Sequence, residues 1–130
     1  MNRKIIIASH KGLADGMKDA VSFISGRKNV TAICCFCEEI QDTQDILDSL
    51  QAIITPEEET IIFTDLFGGS VNRTVSQLLQ TQPNLHVVTG VNLATILEFI
   101  CTEGDTATTL KNAIQAGKDD IRYMNSILRR

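Results

Sequence analysis

Hydrophobic and polar positions follow two alternating periodicities along the chain. Continuous apolar runs, typical of strands buried on both faces of a parallel sheet, lie in residues 3–9, 29–36, 60–65 and 85–89. Between and after them, apolar residues recur at helical spacing, which predicts helices over residues 13–26, 42–54, 70–79, 90–101 and most of the stretch from 106 onwards. This alternation predicts an α/β fold: a single open, doubly wound, mostly parallel sheet with helices on both faces.

Two stretches of these helices carry specific expectations about burial. In the first helix, Leu13, Met17, Val21 and Ile24 form an apolar stripe that is expected to face the sheet. The last quarter of the chain is expected to continue as helix through Ile121 and the apolar residues up to Leu128.

Composition places the chain in a broad class without naming a function. Its 130 residues fit one domain, which we assign to residues 1–130. Twelve basic and sixteen acidic residues give a net charge of −4, which argues against nucleic acid as a partner. The apolar run of residues 5–8 is too short for a signal peptide, and no run is long enough to span a membrane. We therefore expect a soluble cytoplasmic protein.

Three of the four cysteines crowd into one predicted strand. Cys34 and Cys37 form a C-x-x-C pattern, but a three-residue step along a strand would direct their side chains to opposite faces. Redox and metal-binding roles are possible, and packing in the core is the favoured interpretation of Cys34, Cys35 and Cys37.

Residues directly after the strands are the candidates for function, because open α/β sheets bind ligands beyond the carboxyl ends of their strands. His10 follows the first strand and could act as a phosphoryl acceptor, a base or a metal ligand, or could be a solvated loop residue. Asp65 follows the third strand, where it could orient an imidazole or cap a helix. Thr89 and Gly90 follow the fourth strand. The only other histidine, His86, falls within that strand and is interpreted as structural.

The turn Gly68-Gly69-Ser70 favours anion chemistry at this edge. Two glycines allow the backbone to approach a ligand, and the following helix and the Ser70 hydroxyl supply hydrogen-bond donors. Together with a histidine and an aspartate at neighbouring strand ends, the turn makes phosphoryl transfer through a phosphohistidine the leading hypothesis.

Two motifs resemble those of a known family. They are Ile7-Ala8-Ser9-His10, continuing as Leu13-Ala14-Asp15-Gly16-Met17, and Thr64-Asp65-Leu66-Phe67-Gly68-Gly69-Ser70-Val71-Asn72. Over nearly its whole length the chain resembles the mannose-family IIA component (PTS EIIA type-4) of the bacterial phosphoenolpyruvate-dependent sugar phosphotransferase system.

The resemblance implies a phosphoryl carrier in sugar uptake. It implies that His10 accepts a phosphoryl group from the phosphocarrier protein HPr and that Asp65 orients His10. Gly68, Gly69 and Ser70 would bind the phosphoryl oxygens, and Phe67 would contact partners. The group would pass to a separate IIB protein, which phosphorylates sugar entering through membrane IIC and IID components. The resemblance also suggests a homodimer.

Two positions depart from the family pattern. The family usually has glycine directly after the histidine, where this chain has Lys11. Lys11 could help an incoming phosphate or an acidic partner to bind, or could be a solvated loop residue. Val71 stands where many members have proline, a favoured residue in the first turn of a helix. Neither departure removes a reacting group. Transfer between two imidazoles needs no metal or other cofactor, because the bond formed resembles the bond broken.

The sequence is compatible with three alternatives. A phosphotransfer subunit of a dihydroxyacetone kinase resembles the chain around His10 but usually carries a different turn after the third strand. A receiver domain would be phosphorylated on Asp65, but its magnesium-binding acidic pair would stand where this chain has Ser9-His10. A ligand-binding module of flavodoxin type would not need His10 for its activity.

Overall fold

The computed structural model describes residues 3–129, and its elements confirm the predicted alternation. The strands are β1 (Arg3–His10), β2 (Val30–Cys35), β3 (Glu59–Thr64) and β4 (Leu85–Val88). The helices are α1 (Leu13–Ser25), α2 (Thr43–Gln51), α3 (Ser70–Ser76, continued by a 3₁₀ turn over Gln77–Gln80), α4 (Leu93–Cys101), α5 (Thr106–Asp120) and α6 (Met124–Leu128). The chain divides into two compact units, one ending at Val91 and one beginning at Asn92.

The first unit contains a four-stranded parallel sheet with the order β2-β1-β3-β4. From β1 the chain moves to one side to form β2, and all later strands lie on the other side of β1. Right-handed crossovers in opposite directions place α1 on one face of the sheet and α2 and α3 on the other, so the doubly wound prediction is confirmed. Strand order reverses between β1 and β3, and at such a point the loops diverge and leave a crevice.

The central strand β1 is buried because both of its faces are covered. Its residues Ile5 to Ser9 are at most 7% exposed. Ile6 and Ala8 belong to a cluster with apolar side chains of α2 and α3, including Ile46 and Val75. The unbroken apolar run in the sequence is therefore explained by burial on two faces.

Local sequence signals set the ends of the first two helices, although the buried positions of α1 differ from the prediction. The first helix ends where Gly26 adopts a left-handed φ of 73°. Asp42 and Asp45 form a reciprocal capping box at the start of α2. In α1, Leu13 and Ile24 are 51% and 60% exposed. The expectation that both face the sheet is wrong: each lies at an end of the helix, where a side chain can extend past the strands.

The second unit is built on the packing of α4 against α5. Gly117 lets the two helices approach closely, since a Cβ atom there would lie 1.9 Å from Oγ1 of Thr95. Asn92 caps α4 by accepting a hydrogen bond from Thr95 N–H, and its amide donates to the Gly117 carbonyl. The C-terminal quarter is mostly helical, as predicted, but residues 121–123 are not helical and separate α5 from α6. Large apolar side chains in this last stretch are exposed, namely Ile121, Tyr123, Met124, Ile127 and Leu128.

Membrane-spanning helices were not expected from the sequence. Within residues 3–129, every helix is too short or too polar to cross a bilayer.

Candidate functional site

His10 and Asp65 meet at the point where the strand order reverses. Nδ1 of His10 lies 2.9 Å from Oδ2 of Asp65, and the backbone N–H of His10 donates to the same oxygen over 2.8 Å. The aspartate side chain is 11% exposed and the histidine side chain is 40% exposed. With its proton on Nδ1, the imidazole donates to Asp65 and keeps a lone pair on Nε2, the ring nitrogen that Asp65 does not contact.

The charge of Asp65 is stabilised by its contact with His10. Burial on its own raises the pKa of this carboxyl. The hydrogen bonds from the His10 backbone and ring, together with the charge of the ring, outweigh burial, so the pKa lies below its ordinary value. Asp65 is therefore an anion at neutral pH and can balance positive charge on the imidazole.

The segment after Asp65 folds into a tight turn that leads into α3. Gly69 N–H donates to the Leu66 carbonyl over 3.0 Å, and Gly68 adopts a φ of 75°, which glycine reaches without strain. The turn holds Phe67 at its apex, 83% exposed, next to Leu66, which is 59% exposed. It therefore presents two apolar side chains beside the histidine.

Ser70 and Gly69 line the reactive side of the imidazole. Oγ of Ser70 lies 3.4 Å from Nε2 of His10. A Cβ atom on Gly69 would lie 3.2 Å from the Leu66 carbonyl oxygen, which is a tight contact, and 3.4 Å from Cε1 of His10, so a side chain there would fill the space between the turn and the ring. Because Gly69 already donates its N–H within the turn, its main contribution is the space that it leaves.

Lys11 and Phe36 lie beside His10 on the side of β2. Lys11 is exposed, and its ammonium donates to the Phe36 carbonyl over 2.7 Å. The ring of Phe36 lies 5.6 Å from the His10 ring, centroid to centroid, at an interplanar angle of 34°. The structure thus brings most of the candidate residues together around the imidazole, namely His10, Lys11, Asp65, Gly69 and Ser70. Phe67 lies at the exposed edge of this site.

The sequence predicts no specific role for two contributors to the site, Ser9 and Phe36, although Ser9 is one of the strand-end residues singled out together with His10. Ser9 is fully buried, its Oγ accepts the N–H of Ala14 at the start of α1, and it thereby ties His10 to that helix. Phe36 directly follows β2, so the rule that selects residues just after the strands would also have selected Phe36. Asn72 was noted only as part of a motif, and it joins α3 to β3 by accepting a hydrogen bond from Thr64.

The geometry of the cysteines differs from the expectation. Cys34 and Cys37 do not point to opposite faces, since both line a pocket of about 270 Å³ together with Asp15 and Glu39. The strand ends at Cys35, and Phe36 turns the backbone with a φ of 63°, which brings Cys37 back toward Cys34. Burial, followed by the charge of Asp65, raises the pKa of Cys35 to about 12, so this thiol stays neutral.

The second histidine, His86, contacts a glutamate within the sheet. His86 lies in β4 with Nε2 3.3 Å from Oε2 of Glu59, a residue of β3. Among residues 3–129, no three His, Cys, Asp or Glu side chains are arranged to hold a metal ion.

Comparison with known proteins places this chain in a family. A family model described as "PTS system fructose IIA component" (EIIA-man) matches residues 4–116. The chain belongs to this family. It is 30% identical over 97 residues to the sorbose-specific EIIA component of the phosphotransferase system of Klebsiella pneumoniae, covering 73% of this chain and 70% of the relative. The protein is thus a IIA component of a sugar phosphotransferase system.

Solved structures of similar proteins agree with this family. A crystal structure of a putative phosphoenolpyruvate-dependent sugar phosphotransferase system permease from Klebsiella pneumoniae shares 32% identity and superposes with a TM-score of 0.89, covering 98% of this chain and 95% of that chain. The mannose/sorbose-specific IIA subunit from Enterococcus faecalis is 22% identical with a TM-score of 0.79, covering 95% of each chain, and shows the same fold.

Proposed function

We propose that this IIA component is a phosphoryl carrier that uses His10. Nε2 of His10 would accept the phosphoryl group from phospho-HPr and pass it to a separate IIB protein, which phosphorylates the incoming sugar. The observation that carries this proposal is the pairing of Nδ1 with the largely buried Asp65 carboxylate, which leaves Nε2 without a carboxylate partner on a side chain that is 40% exposed.

The proposed step exchanges one phosphorus–nitrogen bond for another. The lone pair of neutral Nε2 attacks phosphorus while the bond to the donor imidazole breaks and its electron pair returns to the donor. His10 keeps the proton on Nδ1, so its ring becomes a phosphorylated imidazolium, and Asp65 balances that charge. Because the broken and formed bonds are alike, alignment and charge stabilisation are the main tasks of the protein.

The turn after β3 is the proposed binding site for the phosphoryl oxygens. Ser70 would donate its hydroxyl, which already lies 3.4 Å from Nε2. Gly69 would leave the space that the group occupies, and Gly68 would allow the turn to hold its shape.

The surface around His10 is suited to large partners. Phe67 and Leu66 project beside the imidazole and would dock first HPr and then IIB, and the exposed Lys11 stands at the same rim. The membrane IIC and IID components would be reached only indirectly, through IIB. We also propose a cytoplasmic location, where HPr would supply the group.

A homodimer is a further part of the proposal. The exposed apolar side chains of residues 121–128 support it, since a second copy of the chain would remove them from water. Sedimentation equilibrium tests this point: the wild type should have twice the monomer mass, and Leu128→Glu with Ile121→Glu should shift the mass toward the monomer. A wild type that sediments as a monomer would contradict it.

Labelling with radioactive phosphoenolpyruvate, enzyme I and HPr tests the carrier function. Label should enter the wild type and His86→Gln, the matched control, and should be absent from His10→Ala. The linkage should be labile in acid and stable in base, as expected for a phosphohistidine. Label that persists in His10→Ala and is released by hydroxylamine would instead indicate an acyl phosphate on Asp65, as in a receiver domain, and would refute the proposal.

A further inference from the structure

Two residues beside His10 hold an unusual backbone conformation. Lys11 has a φ of 53° and Phe36 a φ of 63°, and they are the two non-glycine residues with positive φ in the part of the chain that the structure describes. A residue with a Cβ atom is disfavoured by about 1–2 kcal/mol in this region, so such conformations persist only where surrounding contacts impose them. Both residues follow directly on strands that are paired, β1 and β2.

Hydrogen bonds from Lys11 connect these two strand ends. Its backbone N–H donates to the Cys35 carbonyl over 2.8 Å, which extends the ladder between β1 and β2 by one residue. Its ammonium donates to the Phe36 carbonyl over 2.7 Å. A charged donor on a carbonyl forms one of the stronger hydrogen bonds in proteins, and this one acts on the residue whose backbone is strained.

The Phe36 side chain connects the strained turn to the imidazole. It is half-buried against the apolar cluster beneath α2 and α3, and its ring contacts the His10 ring at 5.6 Å. The imidazole is therefore held at its Nδ1 edge by Asp65 and against its ring by Phe36. Two such restraints limit rotation about the bond between Cβ and the ring more than the hydrogen bond to Asp65 does by itself.

We propose that Lys11 is a positioning residue that acts through Phe36. Its ammonium holds Phe36 in the left-handed conformation, and Phe36 in turn fixes the plane of the His10 ring so that Nε2 faces Ser70. The aromatic ring also lies within the roughly 6 Å over which a cation is attracted to an aromatic face, so it would favour the imidazolium formed on phosphorylation. This inference rests on the proposed phosphoryl transfer by His10.

The side chain of Lys11 explains how a residue other than glycine can occupy position 11, directly after the histidine. Glycine would reach a φ of 53° without strain but would offer no side chain to the Phe36 carbonyl. Lysine carries the cost of the left-handed backbone and supplies the donor that holds the neighbouring turn. Its ammonium is thus already engaged on the protein, although Lys11 remains exposed.

A double-mutant cycle tests whether Lys11 acts through Phe36. Single-turnover transfer from labelled phospho-HPr is measured at several HPr concentrations for the wild type, Lys11→Met, Phe36→Leu and the double variant. Lys11→Met removes the donor and keeps a side chain of similar length. We expect it to lower the saturating rate constant by about threefold to tenfold through loss of alignment, with the half-saturating HPr concentration within about twofold of wild type.

The coupling between the two residues decides the interpretation. In the Phe36→Leu background, Lys11→Met should have no further effect on the rate constant. The single variant Lys11→Arg keeps a charged donor and should therefore react at the wild-type rate, unlike Lys11→Met. The proposal is overturned if Lys11→Met raises the half-saturating concentration in a salt-dependent way and by the same factor in both backgrounds, because Lys11 would then be a docking residue. A wild-type rate in Lys11→Met also overturns it.

Two further measurements keep the result independent of folding and of the carrier function. Lys11→Gly relieves the backbone strain, so it should fold at least as well as wild type and still show the rate loss; an unchanged rate would overturn the proposal. By NMR, the ring protons of His10 should shift in Lys11→Met in the same direction as in Phe36→Leu, and no shift would overturn it. If wild type takes no label from phospho-HPr, the carrier function fails, while this NMR comparison still tests the contact.

Discussion

Replacement of Asp65 by asparagine tests the central contact of the proposed mechanism. The substitution keeps the size of the side chain but removes the charge that faces Nδ1 of His10 at 2.9 Å. The asparagine amide can also donate to Nδ1, which would favour a proton on Nε2 and remove the lone pair that attacks phosphorus. Both effects lower the rate of phosphorylation.

The size of the effect follows from the geometry. Hydrogen bonds to charged groups contribute about 1.5–3 kcal/mol and neutral ones about 0.5–1.5 kcal/mol, so loss of the charge alone costs about 1 kcal/mol or more. Two unit charges about 4 Å apart near a protein surface attract by about 4 kcal/mol, which is an upper limit here because the His10 side chain is 40% exposed. We expect a loss between these limits, roughly tenfold to hundredfold in rate.

Rapid-quench measurement of single-turnover phosphorylation by labelled phospho-HPr gives this rate. Asp19→Asn is a matched control, since Asp19 is an exposed carboxylate on α1 outside the site. It should react at the wild-type rate, and the midpoints of thermal unfolding should show that both variants are folded. If Asp65→Asn also reacts within about twofold of wild type, Asp65 does not orient or stabilise His10, and the proposed mechanism is wrong.

Other properties of the chain lead to further expectations. The pKa of Asp65 is lowered in the folded protein, so its ionised form adds stability above the ordinary pKa of 3.8, and this stability is lost as the pH falls through the folded pKa. The difference in unfolding free energy between wild type and Asp65→Asn should therefore narrow on acidification. A difference that stays constant with pH would contradict this. In thiol labelling of the native protein, the exposed Cys101 should react first and Cys35, with a pKa of about 12, last; rapid modification of Cys35 in the folded state would show that it is not protected. Gly117→Ala should lower the free energy of unfolding by about 1–3 kcal/mol because its Cβ atom would overlap Thr95. Gly16→Ala, in the interior of α1 with open space around it, should instead raise the free energy of unfolding by about 0.5–1 kcal/mol. Denaturant titrations in which Gly117→Ala and Gly16→Ala changed this free energy in the same direction would contradict the packing argument.

The arrangement around His10 explains how one residue could serve two protein partners in turn. The imidazole contacts Asp65 at one edge and Phe36 against the ring, while 40% of the His10 side chain stays exposed. The neighbouring surface is apolar and exposed at Leu66 and Phe67. A donor and an acceptor could therefore approach the same face without a rearrangement of the histidine.

Much of the fold was predictable because its signals are local. The buried strands appear as apolar runs such as Ile5 to Ala8, and helix ends are marked by residues such as Asp42 and Gly26 that satisfy backbone groups within a few positions. Alternation of these elements implies parallel pairing, and parallel pairing brings the carboxyl ends of the strands to one edge. That rule predicts that His10 and Asp65 lie at the same edge, and the strand order, which places β1 beside β3, brings them into contact.

The errors occurred where burial depends on residues distant in sequence. Leu13 and Ile24 fit a helical stripe, but how far each end of α1 extends past the strands decides whether they are covered. Ile121 and Leu128 fit a helical pattern as well, yet they are exposed in the chain. Periodicity identifies an apolar face, but it does not show whether another surface lies against it.

The class of the fold, the edge at which chemistry can occur and the residue types available there can all be predicted from the order of the amino acids. The orientation of those residues depends on contacts between distant parts of the chain. The left-handed turn at Phe36 places an aromatic ring on His10, returns Cys37 toward Cys34 and provides the carbonyl that Lys11 binds. A φ angle of this kind is imposed by contacts between strands that are far apart in the chain, so it leaves no pattern in the local sequence.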